Sequence, residues 1–299
     1  MSMTLLEIVQ TAAGEMGLPV PTSVIGNTTQ QVVQLLSLAN GLGRGLMQDF
    51  DWQALQTEYR FTTVYYTYSG TGTSGSAVIT GIADTSLLST NFQVSGAGVP
   101  QDCYIQSVDS GTQVTLNQAL TANGTSYTFA QTKYNLPTDW NRPVNRTQWD
   151  KTRHWEMLGP ATAEQWQWLK SGFIATGPRI QYRILGDQFQ IWPLIAANEY
   201  LGFEYMSSYW ARSSAGTAKA TLTVDTDTCI FRDAIMIAGL KLKYFAIKGF
   251  DTQALSAEFN RALSGALGGD KGAQNLRMSG TPTNILINLS NVPDSGYGT

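Results

Sequence analysis

From Ser69 to Gln131 the chain carries three aspartates and no lysine, arginine or glutamate, whereas the segments on either side mix charge with long apolar stripes. Short β-branched runs recur through it: AVITGI, NFQVSG, CYIQSV, QVTLNQA and SYTFAQ. Turn pairs fall between them at Ser95-Gly96, Ser110-Gly111 and Asn123-Gly124. Five or six short strands at this spacing predict a small all-β sandwich. Because composition changes sharply at both ends, residues 69–131 read as a domain inserted into a different fold.

The entry to that segment, GTGTSGSAVITG, poses a choice. Gly70, Gly72 and Gly75 match the dinucleotide-binding pattern G-x-G-x-x-G, which holds phosphates on a helix N-terminus and so needs a helix directly after the third glycine. The residues directly after it, SAVITG, are β-branched and alternating. The glycines therefore read as a flexible joint leading into another strand.

The flanks carry helical periodicity. Thr4 and Glu7 form a T-x-x-E capping box ahead of Leu5, Ile8, Val9, Ala12, Ala13 and Met16, with Gly17 and Pro19 as the stop. Thr28 and Gln31 repeat the capping signal before an apolar stripe from Val32 to Phe50, which predicts a helical hairpin. TEYRFTTVYYTY then reads as a strand, and after the insert KYNLP is expected to lie beside RFTTV and close the interrupted sheet. PATAEQWQWLK (160–170) predicts a short helix, RIQYRILGDQFQIWP a hairpin around Gly186-Asp187, and YLGFEYMSSYW a further strand. A long helix, apolar nearly all round, is expected from Asp227 or Thr228 to Gly249. A last helix, capped by Asp251, is expected to end before Gly268-Gly269, followed by a polar tail with one apolar island from Ile285 to Leu289.

The fold class expected is thus α+β: a helical bundle core with a small antiparallel sheet (1–68 and 132–280), an inserted all-β sandwich (69–131) and an extended C-terminal arm (281–299).

Composition excludes several functions. Charged residues make up 14%, against about 25% in ordinary soluble domains, while Gly (29), Tyr (13) and Trp (8) are abundant. Such a surface suits a protein covered by neighbours. The net charge of -3 leaves no basic patch for tight nucleic-acid binding, and a mild negative balance lets DNA pass without sticking. No run approaches the roughly 18 apolar residues of a membrane span, and MSMTLLEIVQ has no basic region of a signal peptide. Without a secretory context the N-x-S/T sequons at Asn27, Asn123, Asn145 and Asn288 carry no meaning. Cys103 and Cys229 read as buried free thiols, and two Cys with one His make no zinc pattern; no metal or cofactor is expected.

Candidate catalytic groups are sparse. His154 lies between Arg153 and Trp155 with no evident orienting carboxylate. Glu156 and Glu164 lie among Trp155, Trp166 and Trp168, an arrangement that permits glycoside hydrolysis by paired acids. Tryptophans at helical spacing read more simply as core or interface anchors. Lys241, Lys243 and Lys248 with Tyr244 are placed to touch phosphate or, more simply, to complement a helix dipole.

The order of pieces resembles a known family, the head-to-tail adaptors (tail tubular protein A or tail accessory factor type) of tailed bacteriophages. The resemblance is carried by LLEIVQTAAGEMG, by the second helix ending in DFDW (49–52), by YNLPTDW (134–140), by GDQFQIWP (186–193) and by the closing helix pair. The insert looks like the Ig-like β-domains that decorate phage structural proteins. The resemblance implies a non-enzymatic virion protein, twelve copies of which form a ring between the portal ring and the tail tube or nozzle, with DNA passing through the centre. It also implies that the C-terminal arm grips the portal, which singles out Ile285, Leu286, Ile287 and Leu289 as portal-binding residues added by β-augmentation. Two other readings stand beside it: a particle-borne peptidoglycan glycosidase using Glu156 or Glu164, and a glycan-binding decoration through the inserted β-domain.

Overall fold

A computed structural model of the chain describes residues 2–171 and 179–271. Among them the chain forms helices α1 (Leu5–Glu15), α2 (Gln30–Asp49), α3 (Ala163–Lys170), α4 (Asp233–Lys248) and α5 (Gln253–Lys271), together with four antiparallel sheets, a mixed α+β architecture. None of these helices is long and apolar enough to cross a membrane.

The capping box of α1 is formed: Glu7 N–H donates to Thr4 Oγ1 at 3.3 Å, and Thr4 N–H donates to the Glu7 carboxylate at 2.8 Å. The cap expected for α2 is not. Gln30 opens that helix behind Thr29, whose side chain makes no capping bond, because Asn27 Oδ1 already accepts the Thr29 N–H at 2.8 Å and turns the chain there. Both helices bury the stripes that their 3.6-residue period predicts, and with α4 and α5 they enclose one core that includes Trp52, Trp210 and Phe231. Close approach within it depends on small residues. A Cβ added at Gly43 of α2 would overlap the Trp210 indole, and one at Gly239 of α4 would lie 2.6 Å from Leu42.

The start of α4 is later than the sequence suggests. Asp227 serves as a loop organiser instead, its carboxylate accepting from the N–H groups of Thr223 and Val224 at 2.7 and 2.9 Å and pairing with Lys219 at 2.5 Å. Thr228 and Cys229 are strand residues. They belong to a three-stranded sheet of β16 (Ala218–Lys219), β15 (Ala211–Arg212) and β17 (Thr228–Cys229). Gly249 ends α4 in the left-handed region at φ 78°, as expected. α5 runs straight through Gly268-Gly269 to Lys271, and the space above Gly269 is taken by the Arg232 guanidinium, which an added Cβ would overlap.

TEYRFTTVYYTY is two strands rather than one. β1 (Gln56–Thr62) pairs along its whole length with β14 (Tyr200–Ser207) in a sheet that also holds β9 (Trp140–Pro143), β10 (Trp149–Asp150) and β11 (Trp155–Glu156). β2 (Tyr65–Gly72) enters a different sheet. The break is held by hydrogen bonds: Thr63 N–H to Glu199 O at 2.9 Å, Thr63 Oγ1–H to Ala197 O at 2.6 Å and Val64 N–H to Tyr134 Oη at 3.2 Å.

The second sheet has six strands in the order β4 (Phe92–Gly96), β7 (Gly124–Gln131), β2, β3 (Val78–Thr80), β6 (Gln113–Leu116) and β5 (Ile105–Ser110). Its two ends meet, since Gln93 bridges Tyr104 and Val94 N–H donates to Cys103 O at 2.8 Å. The strands thus form one rolled sheet rather than two facing ones, around Ile79, Phe92, Val94, Ile105, Val114 and Phe129. Gly70 and Gly72 lie inside β2, so the expected flexible joint is absent there. At Gly72 an added Cβ would overlap Tyr127 Oη and Leu120; the glycine makes room for the sheet interior. No helix follows Gly75, whose successor strand is β3, and this removes the structural basis of the dinucleotide pattern.

KYN also pairs differently from expectation. β8 (Lys133–Asn135) lies against β13 (Gln188–Trp192), which forms the predicted hairpin with β12 (Gln181–Leu185). Tyr134 still reaches Phe61 of β1, at 4.5 Å between ring centroids, but as a side-chain contact between two sheets. The hairpin turn has Gly186 and Asp187 at φ 57° and 58°, the type I′ geometry that matches strand twist.

Candidate functional site

The segments that carry the family resemblance divide between the helical core, which holds α1, DFDW and the closing helix pair, and a second core, which holds YNLPTDW and GDQFQIWP. DFDW ends α2, where Trp52 Nε1–H donates to Leu46 O at 2.8 Å. Arg142, two residues beyond YNLPTDW, clamps the same helix end: it donates to Gln48 O and Phe50 O, each at 3.1 Å, and pairs with Asp51. Within YNLPTDW, Asp139 accepts from Tyr205 Oη–H at 2.7 Å and Ser207 Oγ–H at 2.6 Å. Burial and then the Asp139 carboxylate push the Tyr205 phenol far above the usual tyrosine range. Trp140 stacks on Tyr205 at 5.3 Å, and Phe189 of GDQFQIWP stacks on Phe203 at 4.9 Å and on Tyr182 at 5.0 Å. Burial raises the phenols of Tyr134 and Tyr182 to about 12. Trp140 and Phe189 thus lie in an aromatic frame that joins two sheets, while the DFDW aromatics Phe50 and Trp52 pack in the separate helical core against Phe231.

The residues considered for catalysis are not brought into a comparable constellation. His154 is exposed at φ 60°. Glu156 lies on β11 with Arg146 at 3.8 Å, and Glu164 is exposed in the first turn of α3, where Thr162 and Gln165 form a capping box. Of the neighbouring tryptophans, Trp166 is core, while Trp155 and Trp168 are exposed. Cys103 and Cys229 are buried free thiols, and burial raises them to about 11 and about 12. No cluster of three or more metal-ligating side chains occurs among the described residues. One acidic pair is not apparent from the sequence: Asp150 and Glu199 are both buried, and Arg153 Nε–H donates to Glu199 at 2.5 Å. Burial, opposed by Arg153 and reinforced by Asp150, raises the Glu199 carboxyl. Alternation in a strand does not reveal such a pair, because its members are 49 positions apart in sequence.

The lysines of α4 divide. Lys241 is buried and reaches Glu15 of α1 at 2.6 Å and Glu258 of α5 at 2.8 Å, which ties three helices together and removes it from any phosphate-binding role. Burial alone lowers its pKa, and the two hydrogen bonds outweigh burial and raise it. A raised folded-state pKa gives stabilisation that is complete below the unfolded value and lost as pH rises through the folded one. Because Glu15 and Glu258 are about half exposed and stay solvated, Lys241→Met is expected to change stability at neutral pH by no more than about 1 kcal/mol. Relative to that variant, the native chain should lose stability as pH rises past the ordinary lysine value of 10.5, as denaturation midpoints across that range would show.

The α4–α5 corner presents the other notable surface. The buried side of α4 is Ile235, Met236, Ala238, Gly239, Leu240, Lys241 and Tyr244, so the helix is not apolar all round in its contacts. Its C-terminal end faces outward: Ile247 in the last turn is 60% exposed and Phe250, just beyond the Gly249 cap, 61%, with Phe245 against Phe250 at 5.6 Å. The expected portal-binding residues Ile285, Leu286, Ile287 and Leu289 lie outside the described residues. In comparisons with known proteins, no family model matches the chain and no curated protein matches it in sequence.

Proposed function

We propose that this chain is a non-enzymatic adaptor subunit of a tailed bacteriophage, whose copies form a ring between portal and tail. The observation that carries this reading is the exposed apolar corner of the α4–α5 hairpin, Ile247 and Phe250, on a chain with 14% charged residues. These are the two most exposed large apolar side chains among the described residues, and a head-to-tail ring would cover each copy's corner with the next copy. YNLPTDW and GDQFQIWP meet in one aromatic frame, and Arg142 ties that region to the helix end at DFDW, which supports the same reading. On this proposal the rolled six-stranded sheet is a β-domain inserted into a helical adaptor core, the working site is the particle's head-tail junction, and DNA crosses the lumen without sequence-specific contact.

The arm proposal has its own test. Deleting Thr281–Thr299 removes Ile285, Leu286, Ile287 and Leu289. Burial of even two such side chains contributes about 3 kcal/mol, so portal affinity is expected to fall about 100-fold while ring formation persists. Unchanged co-sedimentation of the truncated chain with portal rings would show that the arm is not the grip.

A further inference from the structure

Outside the aromatic frame and the α4–α5 corner, three cations from three separate elements meet over one recess. It lies where the rolled sheet abuts β8, β12 and α3, and it has a volume of about 290 Å³. Lys133 comes from β8, Lys170 from the end of α3 and Arg183 from β12. The single carboxylate among the residues lining the recess, Asp102, pairs with Lys170 at 2.7 Å. Lys133 and Arg183 have no carboxylate partner among the described residues. Lys133 lies over the Tyr104 ring at 5.3 Å, and the Arg183 guanidinium lies over Trp166 at 4.7 Å while its Nε–H donates to Gln190 at 2.9 Å. In a chain of net charge -3, a local excess of two positive charges is a concentrated exception.

Two further observations point to a ligand. Trp166 and Trp192 both line the recess, are 2% and 4% exposed, and have indole N–H groups without a hydrogen-bond acceptor among the described residues, where Tyr127 Oη and Trp210 Nε1 are likewise unpaired elsewhere. Buried donors are rarely left unpaired. Lys133 is also held below the usual lysine range, first by burial and then by the charge of Lys170, so an anion placed here would relieve an existing repulsion.

We propose that this recess binds a phosphate dianion, either free or as the ester of a small organic group. A phosphate monoester carries about -1.5 to -2 charges at neutral pH, which matches the excess of two. Arg183 offers a planar donor fork and Lys133 and Lys170 offer point charges, the mixture that holds a tetrahedral oxyanion. The volume exceeds the few water shares, ~30 Å³ each, that a bare oxyanion needs. Tyr104 and Leu185 provide an apolar wall for an attached group. The bound ligand would touch both the rolled sheet and the body of the protein, and so would fix the one against the other. This inference does not depend on the ring assembly proposed above.

The test is calorimetric titration of the full-length protein with ribose 5-phosphate, inorganic phosphate and ribose, with tryptophan fluorescence as a second readout. Saturable binding of ribose 5-phosphate is expected, weakened at least tenfold by Lys133→Gln and by Arg183→Gln, and unchanged by Lys243→Gln on α4, which removes the same charge elsewhere. Lys133→Arg should retain binding, which separates loss of charge from loss of fold. Inorganic phosphate binding as tightly as the ester would support the site with free phosphate as its occupant. Absence of saturable binding by either phosphate up to about 10 mM, well above ordinary ligand affinities, would overturn the proposal. So would equal binding of ribose, or full affinity in both variants.

Discussion

Trp210→Ala is expected to destabilise the protein by about 3–5 kcal/mol, the range for removing a fully buried large aromatic side chain. The indole is 0% exposed, stacks on Phe231 at 6.0 Å and lies over Gly43 of α2 so closely that no side chain fits there. The surrounding structure relaxes only partially onto such a space, so the cavity term adds to the lost transfer energy. For a domain with total stability of about 5–15 kcal/mol, this is a large fraction. A denaturant titration would report it as a lower midpoint with little change in slope. A loss below about 1 kcal/mol would mean that the α2 contact with Trp210 is looser than the geometry implies.

The second large effect concerns assembly. Replacing Ile247 and Phe250 together by Asp is expected to abolish ring formation while leaving the monomer folded. Both side chains are largely exposed in the single chain, so their removal costs the fold little. In a ring each interface would bury both, at about 1.5–3 kcal/mol per side chain, and aspartate would add the cost of burying an unpaired charge. The loss per interface amounts to at least about 100-fold in subunit affinity and is compounded around the circle. Light scattering and circular dichroism together separate the two effects. Persistent rings in the double variant would place the subunit contact elsewhere on the surface.

Local signals in the sequence were faithful where they were self-contained. The α1 capping box needs only Thr4 and Glu7, and the β12–β13 turn only Gly186 and Asp187, so four-residue chemistry decides each. Signals failed where a distant partner decides. Thr28 and Gln31 satisfy the capping pattern, but Asn27 takes the turn first. Asp227 and Thr228 have the composition of a helix start, yet one is spent on loop N–H groups and the other pairs with Arg212. RFTTV and KYNLP are both aromatic and extended, and pattern alone does not reveal that β14 and β13 claim them separately. Gly268-Gly269 resembled a stop because local propensity counts against glycine in a helix, yet α5 continues through both, with Arg232 filling the space above Gly269. The cationic recess was invisible for the same reason: Lys133, Lys170 and Arg183 acquire their common role only when three elements meet.

The adaptor account is tested most directly by the mass of the purified full-length protein, alone and mixed with the portal ring of the same phage, measured by light scattering and particle imaging. The account predicts that the chain joins the portal as a closed ring of identical subunits, expected at twelve copies, coaxial with it. A chain that stays monomeric in the presence of portal and adds no density to it would contradict the account.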